Sequence, residues 1–197
     1  MPSPIAHAQA GVAAGWTLAP PSRNGEVAHG AVRTGVLFAA AAMAPDLDLL
    51  VGAHSGPTHG LGAAILAGCI ALVWLRRVEG AGSRIPDPGS RLASREPRAA
   101  RRRRSGATAA AVALAYASHT LLDWLGTDSA PPIGIMALWP VSRGYYESHL
   151  HVFMAISRRY WLPEFWTYNL RALARELLIL LPLLTLVLVL RRRPSSS

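Results

Sequence analysis

Lysine is absent: all 20 basic residues of this 197-residue chain are arginine. Charge of either sign is scarce, at 16% of residues, where a typical soluble domain carries about 25%. Only 11 residues are acidic, so the formal net charge is +9. Cysteine occurs once, at Cys69, which excludes a disulfide scaffold. A basic leader region is missing, and the first apolar stretch is broken by His7, Gln9 and Gly11, which argues against a signal peptide. Low hydrophobicity, the mark of disorder, is missing too, since 51% of residues are hydrophobic. A nucleic-acid-binding domain spreads its basic residues over a soluble face, whereas most of these arginines crowd into two places. A small membrane protein or a very apolar soluble domain remains, of a length for one domain.

The arginines favour the membrane. Ten fall in one stretch: Arg76, Arg77, Arg84, Arg91, Arg95, Arg98 and Arg101 to Arg104. Pro86, Pro88, Gly89, Pro97 and several serines share it, so it reads as a polar, flexible loop. Arg191 to Arg193 close the chain before a serine tail. Between these blocks lie apolar segments at 58–75, 106–126 and 177–190, preceded by shorter ones at 4–19 and 31–45. A helix crossing a bilayer needs about 20 residues. The last three segments approach that length. The first two, rich in Ala and Gly, suit buried, re-entrant or interfacial helices.

The expected fold is therefore all-α: an integral membrane bundle of four to five apolar helices with an extracytoplasmic interfacial segment. Its expected layout is N-terminal helices over 1–75, an arginine-rich cytoplasmic loop over 76–105 and a helix over 106–126. An outer segment with one or two interfacial helices follows over 127–172, then a last membrane helix and basic tail over 173–197. The positive-inside rule sets the direction. Loop 76–105 and the C-terminus lie in the cytoplasm, as do residues 20–30 with Arg23, and Arg33. The tyrosines and tryptophans of 127–172 suit a membrane–water interface. Arg143, Arg158, Arg159, Arg171 and Arg175 fall on the outer side, against the rule.

Ionisable residues in membrane segments are rare and commonly functional. With this orientation His7, Asp46, Asp48, His54, His59, His119 and Asp123 all gather at the outer face. His119 and Asp123, spaced i, i+4, share one helix face. They suit joint ligation of one divalent metal, or equally a hydrogen-bonded packing pair. Asp46 and Asp48 fall where Pro45 disturbs the helix. Two carboxylates this close repel unless a cation or proton intervenes. His54 and His59 flank a Gly56-Pro57 turn, and Thr58 can cap the helix that follows. Glu147, His149 and His151 read more readily as an amphipathic surface than as further ligands. Imidazole and carboxylate without thiolate fit zinc, manganese or iron(II) in a hydrolytic site better than a structural cysteine site. Cys69 reads as a small packing residue.

Taken in order, MPSPIAHAQAG, APDLD, HSGPTHG, SHTLLDWLG and GIMALWPVS resemble the YdjM-like membrane-bound metal-dependent hydrolases of the bacterial inner membrane. The resemblance covers residues 1–145 apart from the arginine loop. It implies that His7, Asp46, Asp48, His54, His59, His119 and Asp123 are the family's polar positions. The chain departs from the family where Ser55 replaces a frequent arginine, Gly60 a frequent serine, and Leu49 a frequent histidine. The arginine could hold an anionic substrate, a contact this chain lacks. The family is distantly similar to zinc-dependent phospholipase C and the S1/P1 nucleases, which implies phosphoester chemistry and one to three zinc ions. On that pattern His7, Asp48, His59, His119 and Asp123 stand out.

The functional expectation is a metal-dependent hydrolase at the extracytoplasmic membrane surface, acting on a lipid or other phosphoester substrate. Asp46 or Asp48, His59, His119 and Asp123 would hold a first metal, with Asp123 bridging to a second near His7. The free aspartate of Asp46 and Asp48 would take the proton from the attacking water. The rival readings are a non-catalytic metal-binding membrane protein and an adaptor whose arginine loop binds anionic lipid or nucleic acid. A nucleic-acid partner is disfavoured, because the loop is sufficiently explained as a topology signal.

Overall fold

Small residues, rather than large apolar ones, form the faces along which the helices of this chain meet. The computed structural model describes residues 1–20, 27–51, 54–82, 97–129 and 131–192. Within them run α1 (Pro4–Leu18), α2 (Val27–Met43), α3 (Leu61–Gly82), α4 (Arg98–Leu125) and α5 (Phe165–Arg192). Two 3-10 segments, Ala44–Val51 and Pro57–His59, link α2 to α3. The described residues contain no β-strand, only isolated bridges between Gly126 and Phe153 and between Ile135 and Tyr146. The chain is all-α, as its composition led us to expect.

The helix ends follow local chemistry. Pro4 opens α1, and the Ser3 hydroxyl accepts the Ala6 N–H at 3.1 Å, satisfying one of the donors a helix start leaves free. α2 gives way to the tighter 3-10 turn just before Pro45. At the start of α3 the Leu61 and Gly62 N–H groups donate to the Ala137 and Trp139 carbonyls, both at 2.9 Å. The GIMALWP stretch thus supplies acceptors for helix donors that would otherwise be orphaned.

α4 is the central helix, and α1, α2 and α3 pack around it. Ala109, Ala111, Val112 and Ala115 form its buried face. α3 approaches along Ala64 and Gly68; a Cβ added at Gly68 would stand 2.8 Å from that of Ala113. Such close contacts between small residues are how helices associate where lipid removes the hydrophobic drive. At the α1–α2 contact a Cβ on Gly15 would lie 2.4 Å from the Phe38 ring. α5 touches the bundle along Ala172, Glu176 and Leu180, all buried.

Large apolar side chains point outward instead. Ile65, Leu66, Ile70, Val73 and Trp74 of α3 and Leu178, Leu181, Leu183 and Leu186 of α5 are each at least half exposed. So are Val32 and Val36 of α2. A small and polar interior beneath an apolar exterior is what a bilayer demands, and an apolar exterior of this extent is rare on soluble monomers. Among the described residues, two helices are long and apolar enough to cross a membrane, Leu61–Glu79 and Phe165–Arg191. Four to five apolar helices were expected, the first two of them not necessarily spans, and the other three described helices fall short of this length and apolarity. α1 and α2 have 15 and 17 residues, and α4 spends its first turns on Arg98 and Arg101 to Arg104.

Contacts along the helices give their directions. Ser3 meets Glu176, and Arg191 donates to the Trp16 and Ala19 carbonyls. α1 and α5 are therefore parallel. α2 and α4 run the other way, with Trp16 bonded to Thr34, Ser105 to Glu79 and Tyr116 to Thr58. His7, the turn from Asp46 to His59, and Asp123 consequently share one end of the bundle. Arg76, Arg77, Arg101 to Arg104 and Arg191 share the other.

Three sequence readings change. The stretch read as a flexible loop over 76–105 is helical at both ends: α3 continues to Gly82 and α4 starts at Arg98. Arginine is a good helix former, so the helices run into both ends of the stretch, while 83–96 lie outside the described residues. The outer segment contains no interfacial helix among its described residues; 126–164 is irregular, and α5 begins at Phe165 rather than 173. The orientation reading for Arg23, the loop residues Arg84, Arg91 and Arg95 with Pro86, Pro88 and Gly89, and the tail from Arg193 lie outside the described residues.

Candidate metal centre

Four elements bring the polar residues to one point. His7 stands in the first turn of α1, Asp46 and Asp48 in the turn after α2, His59 at the end of the turn before α3, and His119 and Asp123 near the end of α4. His7, His59 and His119 are almost wholly buried, as is Asp123. Asp46 and His54 keep 28% and 27% of their side chains exposed, so the cluster reaches solvent through them.

The inner contacts are close. His119 Nε2 lies 3.0 Å from Asp123 Oδ2 and 3.7 Å from Asp46 Oδ1. His59 Nε2 lies 3.5 Å from the same Asp123 oxygen and 3.7 Å from the same Asp46 oxygen. These are four of the six edges of a tetrahedron on two nitrogens and two oxygens. Zinc bonds of about 2.0–2.2 Å require tetrahedral edges of about 3.3–3.6 Å.

The same atoms lack other partners. His59 Nε2, His119 Nε2 and both Asp123 oxygens are buried without a well-formed hydrogen bond. At 3.0 Å, His119 and Asp123 are near enough for one but are not aligned for it. Unpaired polar atoms in a core are costly. Donor atoms that converge without pointing at one another fit a shared cation.

The remaining contacts hold these ligands in place. His119 Nδ1 is 2.7 Å from the Ala42 carbonyl oxygen, which fixes the proton there and frees Nε2. His59 Nδ1 faces Asp48 Oδ2 at 3.3 Å and the Thr58 hydroxyl at 3.1 Å. Thr58 in turn donates to Asp48 Oδ2 at 2.8 Å. The Thr120 hydroxyl donates to the His59 carbonyl at 2.8 Å, and Tyr116 to the Thr58 carbonyl at 2.8 Å. Such outer contacts orient metal-binding imidazoles. On the far side of Asp123, His7 Nε2 lies 3.3 Å from Oδ1, and its ring stacks on His119 at 3.8 Å. Asp48 Oδ1 faces His54 Nδ1 at 3.5 Å. For Asp46, burial works to raise the carboxyl pKa, but the His59 imidazole and the nearby His119 and His7 outweigh it and hold the value below the ordinary range.

All seven residues singled out in the sequence meet here. His7, His119 and Asp123 form one set able to hold a metal ion, and Asp46, His54 and His59 another. The geometry divides the two neighbouring aspartates: Asp46 faces the inner nitrogens, while Asp48 faces the outer nitrogen of His59. Thr120 and Tyr116 escaped the sequence reading, because a lone hydroxyl on a helix carries no signal until its partner is known. Glu147, His149 and His151 also come within ligand distance of one another, as a separate group.

An apolar cavity of about 350 Å³ lies between α4, the start of α3 and the segment around Leu138 and Tyr146. Leu61, Thr120, Leu121, Trp124, Leu138 and Tyr146 are among the residues that line it. Leu61 follows His59 by two residues, and Thr120 is the residue that holds the His59 carbonyl.

The model of the family described as YdjM inner membrane protein matches residues 1–194. No curated protein and no solved structure matches the chain.

Proposed function

Since the chain belongs to the YdjM inner membrane protein family, we propose that this membrane protein is a metal-dependent hydrolase of phosphoester or lipid-type substrates. The carrying observation is the tetrahedral spacing of His59 Nε2, His119 Nε2, Asp123 Oδ2 and Asp46 Oδ1, with three of these four atoms buried and unpaired. A divalent ion of the zinc class bound there supplies Lewis acidity and a water of lowered pKa.

The chain's own residues divide the work. His59, His119 and Asp123 would hold the ion. Asp46 has the two longest edges and partial solvent exposure, so it is the least committed of the four and would be free to act as a base. Catalytic zinc sites keep three protein ligands and one open position. Asp46 would take the proton from the attacking water. Asp48 does not share that role; it positions His59 through Nδ1. Asp123 Oδ1 and His7 offer a second cation position.

Phosphoester chemistry is what the family resemblance implies. The apolar cavity supports a lipid among such substrates: an acyl chain could lie between Leu121, Trp124 and Leu138 while the headgroup meets Asp46. The reading places five helices across or within the membrane, with the centre at the extracytoplasmic end and the arginine-rich end in the cytoplasm. The crowding of Arg76, Arg77, Arg101 to Arg104 and Arg191 at one end of the bundle supports that orientation, with Arg143, Arg158, Arg159, Arg171 and Arg175 standing against it.

The test is hydrolysis by the purified full chain of phospholipid in mixed micelles and of a soluble aryl phosphodiester, with and without chelator. Turnover that chelator abolishes and zinc restores is expected. His119→Ala and Asp123→Ala should each abolish turnover and the bound metal together. Metal binding without turnover of any phosphoester leaves a non-catalytic metal protein and overturns the hydrolase reading.

A further inference from the structure

We propose that Glu147, His149 and His151 form a second, solvent-exposed binding site for a divalent transition-metal ion. The site lies outside the buried centre and does not depend on the hydrolase reading. One donor atom from each residue lies within 4.8 Å of the other two. His149 Nδ1 stands 3.4 Å from Glu147 Oε2, and His151 Nδ1 stands 3.8 Å from Glu147 Oε1. Glu147 is largely covered, whereas the His149 and His151 side chains are 81% and 50% exposed. An anchored carboxylate beneath two imidazoles free to adjust is an arrangement that closes on an ion by small rotations.

The backbone supports this reading. His149 and His151 both have positive φ, at 56° and 46°. Residues with a Cβ rarely adopt that conformation. Two such residues within three positions, each turning its imidazole toward one carboxylate, need a reason. An amphipathic surface strip does not supply it, since ordinary extended backbone already places alternate residues on one side. The segment is also held on both sides. Ser148 N–H donates to the Trp124 carbonyl at 3.1 Å, Val152 N–H to the Leu125 carbonyl at 2.8 Å, and Arg175 to the His151 carbonyl at 3.1 Å.

The donor set selects the ion. Two imidazole nitrogens and one carboxylate suit zinc, copper(II) or nickel, and leave coordination positions for water. Magnesium and calcium prefer oxygen alone. The segment lies against the last turn of α4, which carries Asp123, so the exposed site stands at the same end of the bundle as the buried centre.

Zinc titration of the purified full chain in detergent micelles, against a chromophoric chelator, tests the proposal. The wild type should bind one more ion per chain than the His149→Ala/His151→Ala double variant at unchanged helical content. In the unmodified protein, zinc should protect His149 and His151 from diethyl pyrocarbonate, read by mass spectrometry, and magnesium should not. Equal zinc stoichiometry and affinity in the two proteins overturns the proposal. So does unchanged modification of both histidines at saturating zinc. Loss of the buried centre through Asp123→Ala should leave this protection in place, which keeps the two sites distinguishable.

Discussion

His119 reaches from α4 to the last turn of α2, where its Nδ1 lies 2.7 Å from the Ala42 carbonyl oxygen. A helix end exposes carbonyls without intrahelical partners. One of them here fixes the tautomer of a buried imidazole. The opposite nitrogen is thereby turned toward Asp123 Oδ2, 3.0 Å away. The packing of α2 on α4 and the readiness of the centre are one and the same contact.

Asp48 tests the division of labour between the two neighbouring aspartates. It contacts the outer nitrogen of His59 and the Thr58 hydroxyl. Asp48→Asn should weaken metal binding about 10–100-fold, the range for partners that orient a ligand. Asp46→Asn should affect turnover more than binding. Competition with a chromophoric chelator measures the first and initial rates the second. Undiminished affinity in the Asp48 variant would remove its orienting role.

Leu121 tests whether the apolar cavity holds an acyl chain. Leu121→Trp puts a larger ring into a cavity of about 350 Å³. KM for a long-chain phospholipid should rise about tenfold, as the loss of roughly 1.4 kcal/mol of binding implies. Hydrolysis of a soluble aryl phosphodiester should barely change. Equal effects on both substrates would mean the cavity is not a substrate site.

Glu176 joins α5 to the start of α1. Its carboxylate accepts the Ser3 N–H at 2.7 Å and also the Ser3 hydroxyl, and it is wholly buried. Glu176→Ala leaves both donors without a partner and should cost about 1–3 kcal/mol each in the worst case. Glu176→Gln should recover part of the loss, since an amide oxygen still accepts. Denaturant unfolding in micelles would show it. Equal stability of the Ala variant and the parent would exclude the pairing as a tether.

Cys69 reports on what surrounds α3. It lies within Leu61–Glu79 and points outward. In intact membranes a charged, impermeant maleimide should leave it unmodified, and denaturing detergent should restore labelling. Rapid labelling in intact membranes would place that face of α3 against water.

Much of the centre was legible in the sequence because its local parts obey short-range rules. The i, i+4 step put His119 and Asp123 on one face, and Pro45 and Pro57 marked the turns. The arginine blocks led to the expectation of seven His and Asp residues at one end, and the structure brings those seven residues together. A chain of this pattern has little freedom to do otherwise, because helices and turns are set by near neighbours.

What no local rule reaches is which atom faces which. Asp46 and Asp48 are two residues apart and chemically identical, so only the packing of α2 against α4 and the following turn assigned one to the inner nitrogens and one to the outer. Glu176 carries no signal in the sequence, and only the packing of α1 on α5 brings Ser3 against it. Glu147, His149 and His151 read as a surface strip, and only left-handed backbone at the two histidines turned them onto one carboxylate. Ligand geometry depends on contacts between segments distant in the chain. Those contacts are fixed by how small residues let the helices approach.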